Sequence, residues 1–374
     1  MTFTCTKENL LRALDLVGGV AGKHPNLPIL SNILLSVEEN RVQIVATNLE
    51  IAIKTQLRAK VETSGSFTVP AKTLIDYIRL LSNDQVHVSI DGSEMIVKCG
   101  NSSTKIKGSP ADEYPPVPDV DEAHAYVIEA DVLRNALGHA VVAVAKNEIR
   151  PELSGVYAGF FTERHEGLVL AATDSYRLAE KKISVKQGTD VVQCIIPAKT
   201  IYEIARLVAT SKDEEGSKHD VRLWVSTNQI AVRYDSFEMT SRLIDGTYPD
   251  YSQIIPNDFK TRAVCPVDVM VNKIKAASLF ATTGVNAVSF DLNVSGNSIG
   301  VSSTSTQTGE HSSEIDAMVS GEENSILLNH RYVLDGLAHM SGDVEFCING
   351  GDTPCLFHEV GNKDYLYIVM PIRQ

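Results

Sequence analysis

Apolar positions along the chain fall into two rhythms. Between residues 130 and 144, Leu133, Ala136, Leu137, Ala140, Val141 and Val144 stand at i, i+3, i+4, i+7, i+8 and i+11, on one face of a helix. Asp131 at its start suits a first turn, where a carboxylate meets the positive end of the helix dipole. Comparable patterning predicts helices over 6–20, 71–83, 129–150, 198–212, 267–281 and 329–340. Short alternating or β-branched runs at 41–46, 85–90, 95–99, 220–225, 229–234, 287–292, 298–302 and 344–348 read as strands. Asp91-Gly92, Asn228-Gln229 and Gly296-Asn297 mark turns between them. One amphipathic helix followed by several strands, again and again, predicts an α+β protein in which each helix covers a sheet face and keeps a polar face for water.

The pattern repeats at long range. Pro70-Ala71-Lys72-Thr73 returns as Pro197-Ala198-Lys199-Thr200, and the match runs on through Asp76 with Glu203, Arg79 with Arg206 and Leu80 with Leu207. Ala46-Thr47-Asn48 returns as Ala172-Thr173-Asp174, and Tyr114-Pro115 as Tyr248-Pro249. The offset is close to one third of the 374 residues, so a third, weaker copy fills the remainder, with Leu328–Leu334 where its second helix starts. Each copy holds two helix-plus-strands halves. Pro110–His124, with its prolines and acidic residues, and Ile255–Thr261 break the pattern. The expected domains are 1–124, 125–256 and 257–374.

Composition narrows the field. A 43% hydrophobic content allows a sizeable core and excludes a disordered chain. No run reaches the roughly 20 apolar residues of a membrane span, and Met1–Glu8 lacks the basic-then-apolar order of a signal peptide, so a cytoplasmic protein is expected. Cys5, Cys99, Cys194, Cys265, Cys347 and Cys355 form no CxxC pair and read as reduced, buried thiols without a metal. The formal charge of −13 repels nucleic acid on average. The six helical segments are nonetheless slightly net positive, and Lys72, Asp76, Arg79 and Lys199, Glu203, Arg206 form equivalent polar stripes at i, i+4, i+7. Helices sharing one side would give a mildly basic surface on an acidic protein, suited to weak, sequence-independent phosphate contact.

Enzyme motifs appear only in fragments. Gly18–His24 lacks the spacing and the hydroxyl of a phosphate loop and follows a helix, so helix-terminal glycines explain it better. Gly296-Asn297-Ser298-Ile299-Gly300 spells GxSxG, but a strand-like run follows where a nucleophile elbow needs a helix; a β-rich hydrolase using Ser298 is the alternative reading, and a hairpin turn the simpler one. His165-Glu166 lacks the second histidine of a zinc protease motif. Asp119, Asp121 and Glu122 read as a solvated run in the linker. No catalytic residue, cofactor or metal is expected.

Leu27–Leu30, Arg150–Val156, Ala172–Ala179, Leu243–Tyr251 and Val369–Arg373 together resemble the bacterial sliding clamps, the β subunits of replicative DNA polymerase. The resemblance covers the whole chain. It implies three DNA-clamp domains and a head-to-tail homodimeric ring with helices inside and sheets outside. It also implies a processivity function without catalysis: the ring encircles duplex DNA and tethers the polymerase, while the clamp loader and other partners dock through short Gln-Leu-x-Leu-Phe-like motifs. The implied peptide pocket comprises Leu153, Thr173, Ser175, Tyr176, Arg177, Leu178, Pro249, Ile254, Ile368, Val369, Met370, Pro371, Ile372 and Arg373, with Arg177 and Arg373 as rim charges. The DNA-facing set is Lys23, Lys72, Arg79, Arg134, Arg150, Lys199, Arg206 and Lys273. Gln253 stands where relatives can carry a basic residue, and the Thr104–Lys107 edge is more polar than in some members.

Overall fold

Among the described residues six α-helices interrupt a chain of antiparallel strands: α1 (Lys7–Gly18), α2 (Ala71–Leu80), α3 (Ala130–Val141), α4 (Ala198–Thr210), α5 (Val267–Ser278) and α6 (His330–Leu337). The computed structural model describes residues 1–22, 26–39, 41–117, 124–147, 149–210 and 220–373, so Lys23 and the acidic Asp119, Asp121 and Glu122 lie outside the described residues. Pro70, Pro197 and Pro266 each close a strand and precede a helix. A residue without an N–H ends strand pairing there, and the next turn of backbone is free to wind. Thr6 caps α1 by accepting from the Asn9 N–H, and Asn329 caps α6 by accepting from the Arg331 N–H.

The helix expected over 129–150 ends after its third turn. Ala143 and Val144 donate to the carbonyls three residues back, which tightens the turn, and the Ala145 N–H leaves for the Leu153 carbonyl. The apolar rhythm continues because Val144 and Ala145 stay buried, as irregular chain just past a turn rather than as helix. Arg150 therefore flanks a short 3-10 turn, Pro151–Ser154, instead of riding on α3.

The chain forms two compact units. The first comprises residues 1–134, 185–188 and 202–243; the second comprises 135–184, 189–201 and 244–374. Each contains one sheet confined to a single copy and one continuous sheet that fuses two copies. In the first unit the fusion is the pairing of Phe237–Arg242 with Ile51–Arg58, at the middle of an eight-stranded sheet. In the second, Tyr365–Val369 lies between Arg177–Ile183 and Cys355–Glu359 in a nine-stranded sheet. In each shared sheet the ladder hydrogen bonds at the junction run directly from one copy to the next, so backbone groups there are satisfied within the protein.

The helices bury one stripe each. Leu74, Ile75 and Ile78 of α2 are buried, and each such side chain contributes roughly 1.5–3 kcal/mol. Gly18 and Gly19 end α1 without a left-handed turn; Gly19 has φ −66°. Their smallness is used in packing: a Cβ on Gly18 would lie 2.6 Å from Ile75 Cδ1, and one on Gly19 3.2 Å from the Arg206 guanidinium. Ser298 begins a strand opposite Asn293, and Asn297 turns the hairpin with φ +48°, so the GxSxG letters spell a hairpin. Among the described residues no helix is long and apolar enough to cross a membrane.

Candidate functional site

The Thr173–Arg177 corner joins strands Leu168–Thr173 and Arg177–Ile183. Thr173 Oγ1 accepts from the Ser175 N–H and donates to the Arg177 carbonyl, while Asp174 Oδ1 accepts from the N–H groups of Tyr176 and Arg177. Ser175 sits at φ +75°. With the backbone groups satisfied locally, the corner holds Tyr176 out in solvent at 63% exposure and turns Arg177 inward at 3%.

Arg177 is thus not a rim charge. Its Nε donates to Asp174 Oδ2 at 3.1 Å, its Nη1 to Asp335 Oδ2 at 2.5 Å, and its guanidinium lies 4.6 Å from the centroid of the Tyr332 ring. Burial works against its charge, but Tyr367, Asp335 and Asp174 more than offset that, and the group is held more firmly protonated than an ordinary arginine. The sequence reading missed Asp335, Tyr332 and Tyr367, which come from 155 or more residues away; only the change from Asn48 to Asp174 between copies hinted at a charged corner.

The segment after Tyr365–Val369 runs along this corner. The Met370 N–H donates to the Tyr176 carbonyl at 2.8 Å, and the Ile372 N–H to the Leu327 carbonyl at 2.8 Å. Ser175, Tyr176, Met370, Pro371, Ile372 and Arg373 line one cavity of about 540 Å³ together with Val285, Asn329, Tyr332 and Asp352. Arg150, Leu153 and Asp174–Arg177 line another of about 710 Å³, beside the first turn of α6. Leu178 and Ile368 are buried in a cluster with Ala171 and Tyr251, and half-buried Ile254, Tyr157 and Tyr248 pack against it. Thr173 and Val369 are buried, and Pro249 is half-buried beside Tyr248. The expected pocket residues therefore divide into a buried floor and an accessible wall formed by Met370–Arg373. Apolar and adaptable groups of this kind suit a short peptide with hydrophobic anchors.

The expected DNA-facing residues separate by environment. Lys72 pairs with Asp76 at 2.5 Å, Arg79 with Asp15 at 2.6 Å, Arg134 with Asp131 at 3.0 Å and Arg150 with Glu152 at 3.0 Å. Exposed pairs of this kind contribute at most about 1 kcal/mol and leave the cations accessible. Lys199 is exposed and Lys273 half-exposed, and neither pairs with a described carboxylate. Arg206 departs from the solvated stripe: it donates to the Asp15 and Leu16 carbonyls at 3.0 and 2.6 Å and pairs with Glu203. It caps the C-terminal end of α1, where a cation is favoured by the helix dipole.

Residues 1–118 match the DNA polymerase III beta subunit N-terminal domain, 127–250 its central domain and 252–373 its C-terminal domain. The chain is 30% identical to the beta sliding clamp of Haemophilus influenzae, over the full length of both, and 27% identical to that of Bacillus subtilis. Its fold superposes on the crystal structure of the Bacillus subtilis sliding clamp with a TM-score of 0.93 at 27% identity, covering 100% of this chain and 99% of that one. The DNA polymerase III subunit beta of Pseudomonas aeruginosa gives a TM-score of 0.92 with complete coverage of both chains.

Proposed function

The chain belongs to the DNA polymerase III beta-subunit family, the bacterial sliding clamps, and on that premise we propose how its own residues carry the family's work. The protein is a processivity factor rather than an enzyme: it encircles duplex DNA and tethers the polymerase. Tethering by encirclement needs a surface that holds DNA weakly, because each tight phosphate contact would resist sliding. Lys72, Arg79, Arg134, Arg150, Lys199 and Lys273 supply that surface in our reading, with most of the cations partly neutralised by neighbouring carboxylates. Lys23, outside the described residues, belongs to the same proposed set. We assign Arg206 to holding α1 as well as to DNA.

Partners dock on the Thr173–Arg177 corner. The observation that carries this is the Met370–Arg373 segment, hydrogen-bonded beside Tyr176 and open on a cavity of about 540 Å³. A Gln-Leu-x-Leu-Phe-like peptide would place its apolar anchors against Met370, Pro249 and Ile254, over the buried floor to which Leu178 belongs. The test is titration of a fluorescent peptide of that sequence against the wild type and Met370→Ala; equal dissociation constants would place the partner site elsewhere.

A ring requires a second copy. The edge strand Ser102–Lys107 carries Lys105 and Lys107, and the edge strand Gly309–Asp316 carries Glu310, Glu314 and Asp316. Unpaired strand edges of opposite charge suit strand addition between two chains. A cytoplasmic homodimer joined head to tail at these edges, with domains at 1–124, 125–256 and 257–374, is the assembly we propose. A solution mass of one chain would remove it. So would equal retention on linear and closed circular DNA.

A further inference from the structure

Away from the corner, three strands of the nine-stranded sheet bring together a cysteine, a histidine and a glutamate. Glu345 lies directly across from His358, and Arg262 directly across from Cys347, so the four side chains share one face. The ligand atoms of Glu345, Cys347 and His358 all lie within 4.8 Å of one another. His358 Nδ1 is 2.9 Å from the Glu359 carbonyl. A carbonyl only accepts, so Nδ1 carries the hydrogen. His358 Nε2 nevertheless faces Glu345 Oε2 at 2.7 Å. A neutral ring with its proton on Nδ1 would point a lone pair at a carboxylate, and a positive element, a proton or a metal ion, must resolve that contact. A carbonyl fixing one ring nitrogen while the other faces a ligand pocket is also how metal-binding histidines are oriented.

We propose that Glu345, Cys347 and His358 form a binding site for a borderline-soft divalent cation, Zn²⁺ above all. Thiolate, imidazole and carboxylate are its preferred ligands, and a water would complete the tetrahedron. Binding forms the metal–sulfur, metal–nitrogen and metal–oxygen bonds and releases two protons to solvent, one from the Cys347 thiol and the one held between His358 Nε2 and Glu345 Oε2 in the empty site. Arg262 guards the site: its Nη1 stands 3.7 Å from Cys347 Sγ and 3.5 Å from Glu345 Oε2, where its charge competes with an incoming cation. Its side chain is 42% exposed and lies over Phe259, so it can swing outward and open a path past the half-buried Glu345 and His358.

Titration of the reduced full-length chain with Co²⁺, the spectroscopic stand-in for Zn²⁺, tests this. One equivalent should give a thiolate-to-cobalt charge-transfer band, and Zn²⁺ should abolish it by competition. Cys347→Ser should lose the band, and His358→Gln should weaken affinity about tenfold or more. Arg262→Ala should tighten it by about tenfold, because a competing cation is removed. His358→Gln alters a partly exposed side chain, so it reports even if the buried Cys347 variant folds poorly. No band at stoichiometric Co²⁺ overturns the proposal and leaves a proton between His358 and Glu345. A band that survives Cys347→Ser, or affinities unchanged in His358→Gln and Arg262→Ala, overturns it equally.

Discussion

The first and second copies contain the same corner, built twice. In the first, Thr47 Oγ1 accepts from the Leu49 N–H and donates to the Ile51 carbonyl, and Asn48 Oδ1 accepts from the N–H groups of Glu50 and Ile51. Leu49 has φ +73°, against +75° for Ser175 in the second. The Tyr114 hydroxyl accepts from the Thr47 N–H at 3.2 Å, as the Tyr248 hydroxyl does from Thr173 at 3.0 Å. Four of the five side chains differ, Leu49 and Glu50 becoming Ser175 and Tyr176, but the inward-facing ion pair comes from two changes: Asn48 and Ile51 become Asp174 and Arg177. The backbone turn is therefore a structural module, indifferent to charge. The second copy uses it to aim a cation at Asp335 on α6, which ties the corner to the third copy and leaves Tyr176 outside beside Met370.

Converting one corner into the other is the strongest way to break this comparison. Arg177→Ile leaves Asp174 without its cation, and removing one partner of a buried pair costs roughly 3 kcal/mol. The double change Asp174→Asn with Arg177→Ile restores the first corner's chemistry and should recover more than about 1 kcal/mol of that loss, since Asp335 is half exposed and can be solvated. Urea unfolding of the three proteins decides it; additive losses would mean the corners are not interchangeable.

The next effect concerns the Met370–Arg373 segment beside the second corner. Met370→Ala should cost roughly 2 kcal/mol of peptide affinity if Met370 is an anchor contact, with little change in unfolding midpoint. A third experiment tests the shared tyrosine. Tyr114→Phe and Tyr248→Phe should each cost about 1 kcal/mol or more, because each leaves a threonine N–H without its acceptor, and Tyr114→Phe also removes a hydroxyl that donates to the Asn32 carbonyl. Burial pushes the Tyr114 hydroxyl up to about 12 from an ordinary value of 10.0. Its neutral form is the one favoured by folding, so its contribution is whole below pH 10 and is lost as pH rises towards 12, by about 1.4 kcal/mol per pH unit. Tyr114→Phe should flatten stability by that slope across the same window.

The smallest effects belong to the DNA-facing cations. Lys199→Ala should lower the salt dependence of DNA binding by at most about one counterion term and leave stability unchanged. Arg206→Ala should instead destabilise the fold by about 1 kcal/mol through lost capping of α1. Equal stabilities for the two variants would show that Arg206 is merely solvated.

Much of this was legible in the chain. The Thr47 and Thr173 corners could be paired by letter because a hydroxyl and an Asx side chain at fixed spacing make the same turn wherever they occur. The two Tyr-Pro pairs marked the residues that bond to those corners, although nothing in the letters said so. The six helices follow their apolar stripes, and the expected α3 runs too long because Val144 and Ala145 are buried in irregular chain beyond its end. What could not be read was choice of partner at long range. Arg79 and Arg206 occupy equivalent places in repeated helices, yet one meets a side-chain carboxylate and the other the carbonyls ending α1. Likewise Cys347 and His358 show no ligand spacing; strand register alone brings them together.

The strand Tyr365–Val369 has a consequence for how the protein is made. It pairs with Arg177–Ile183 across about 190 residues of sequence. On the ribosome, the central copy is synthesised long before that strand emerges. Until then Arg177–Ile183 presents a row of open N–H and carbonyl groups, an edge that invites pairing with any passing strand. Lys181 and Lys182 on it are the kind of charges that discourage such pairing. A nascent chain stalled before residue 365 should thus be the most aggregation-prone species in the life of this protein.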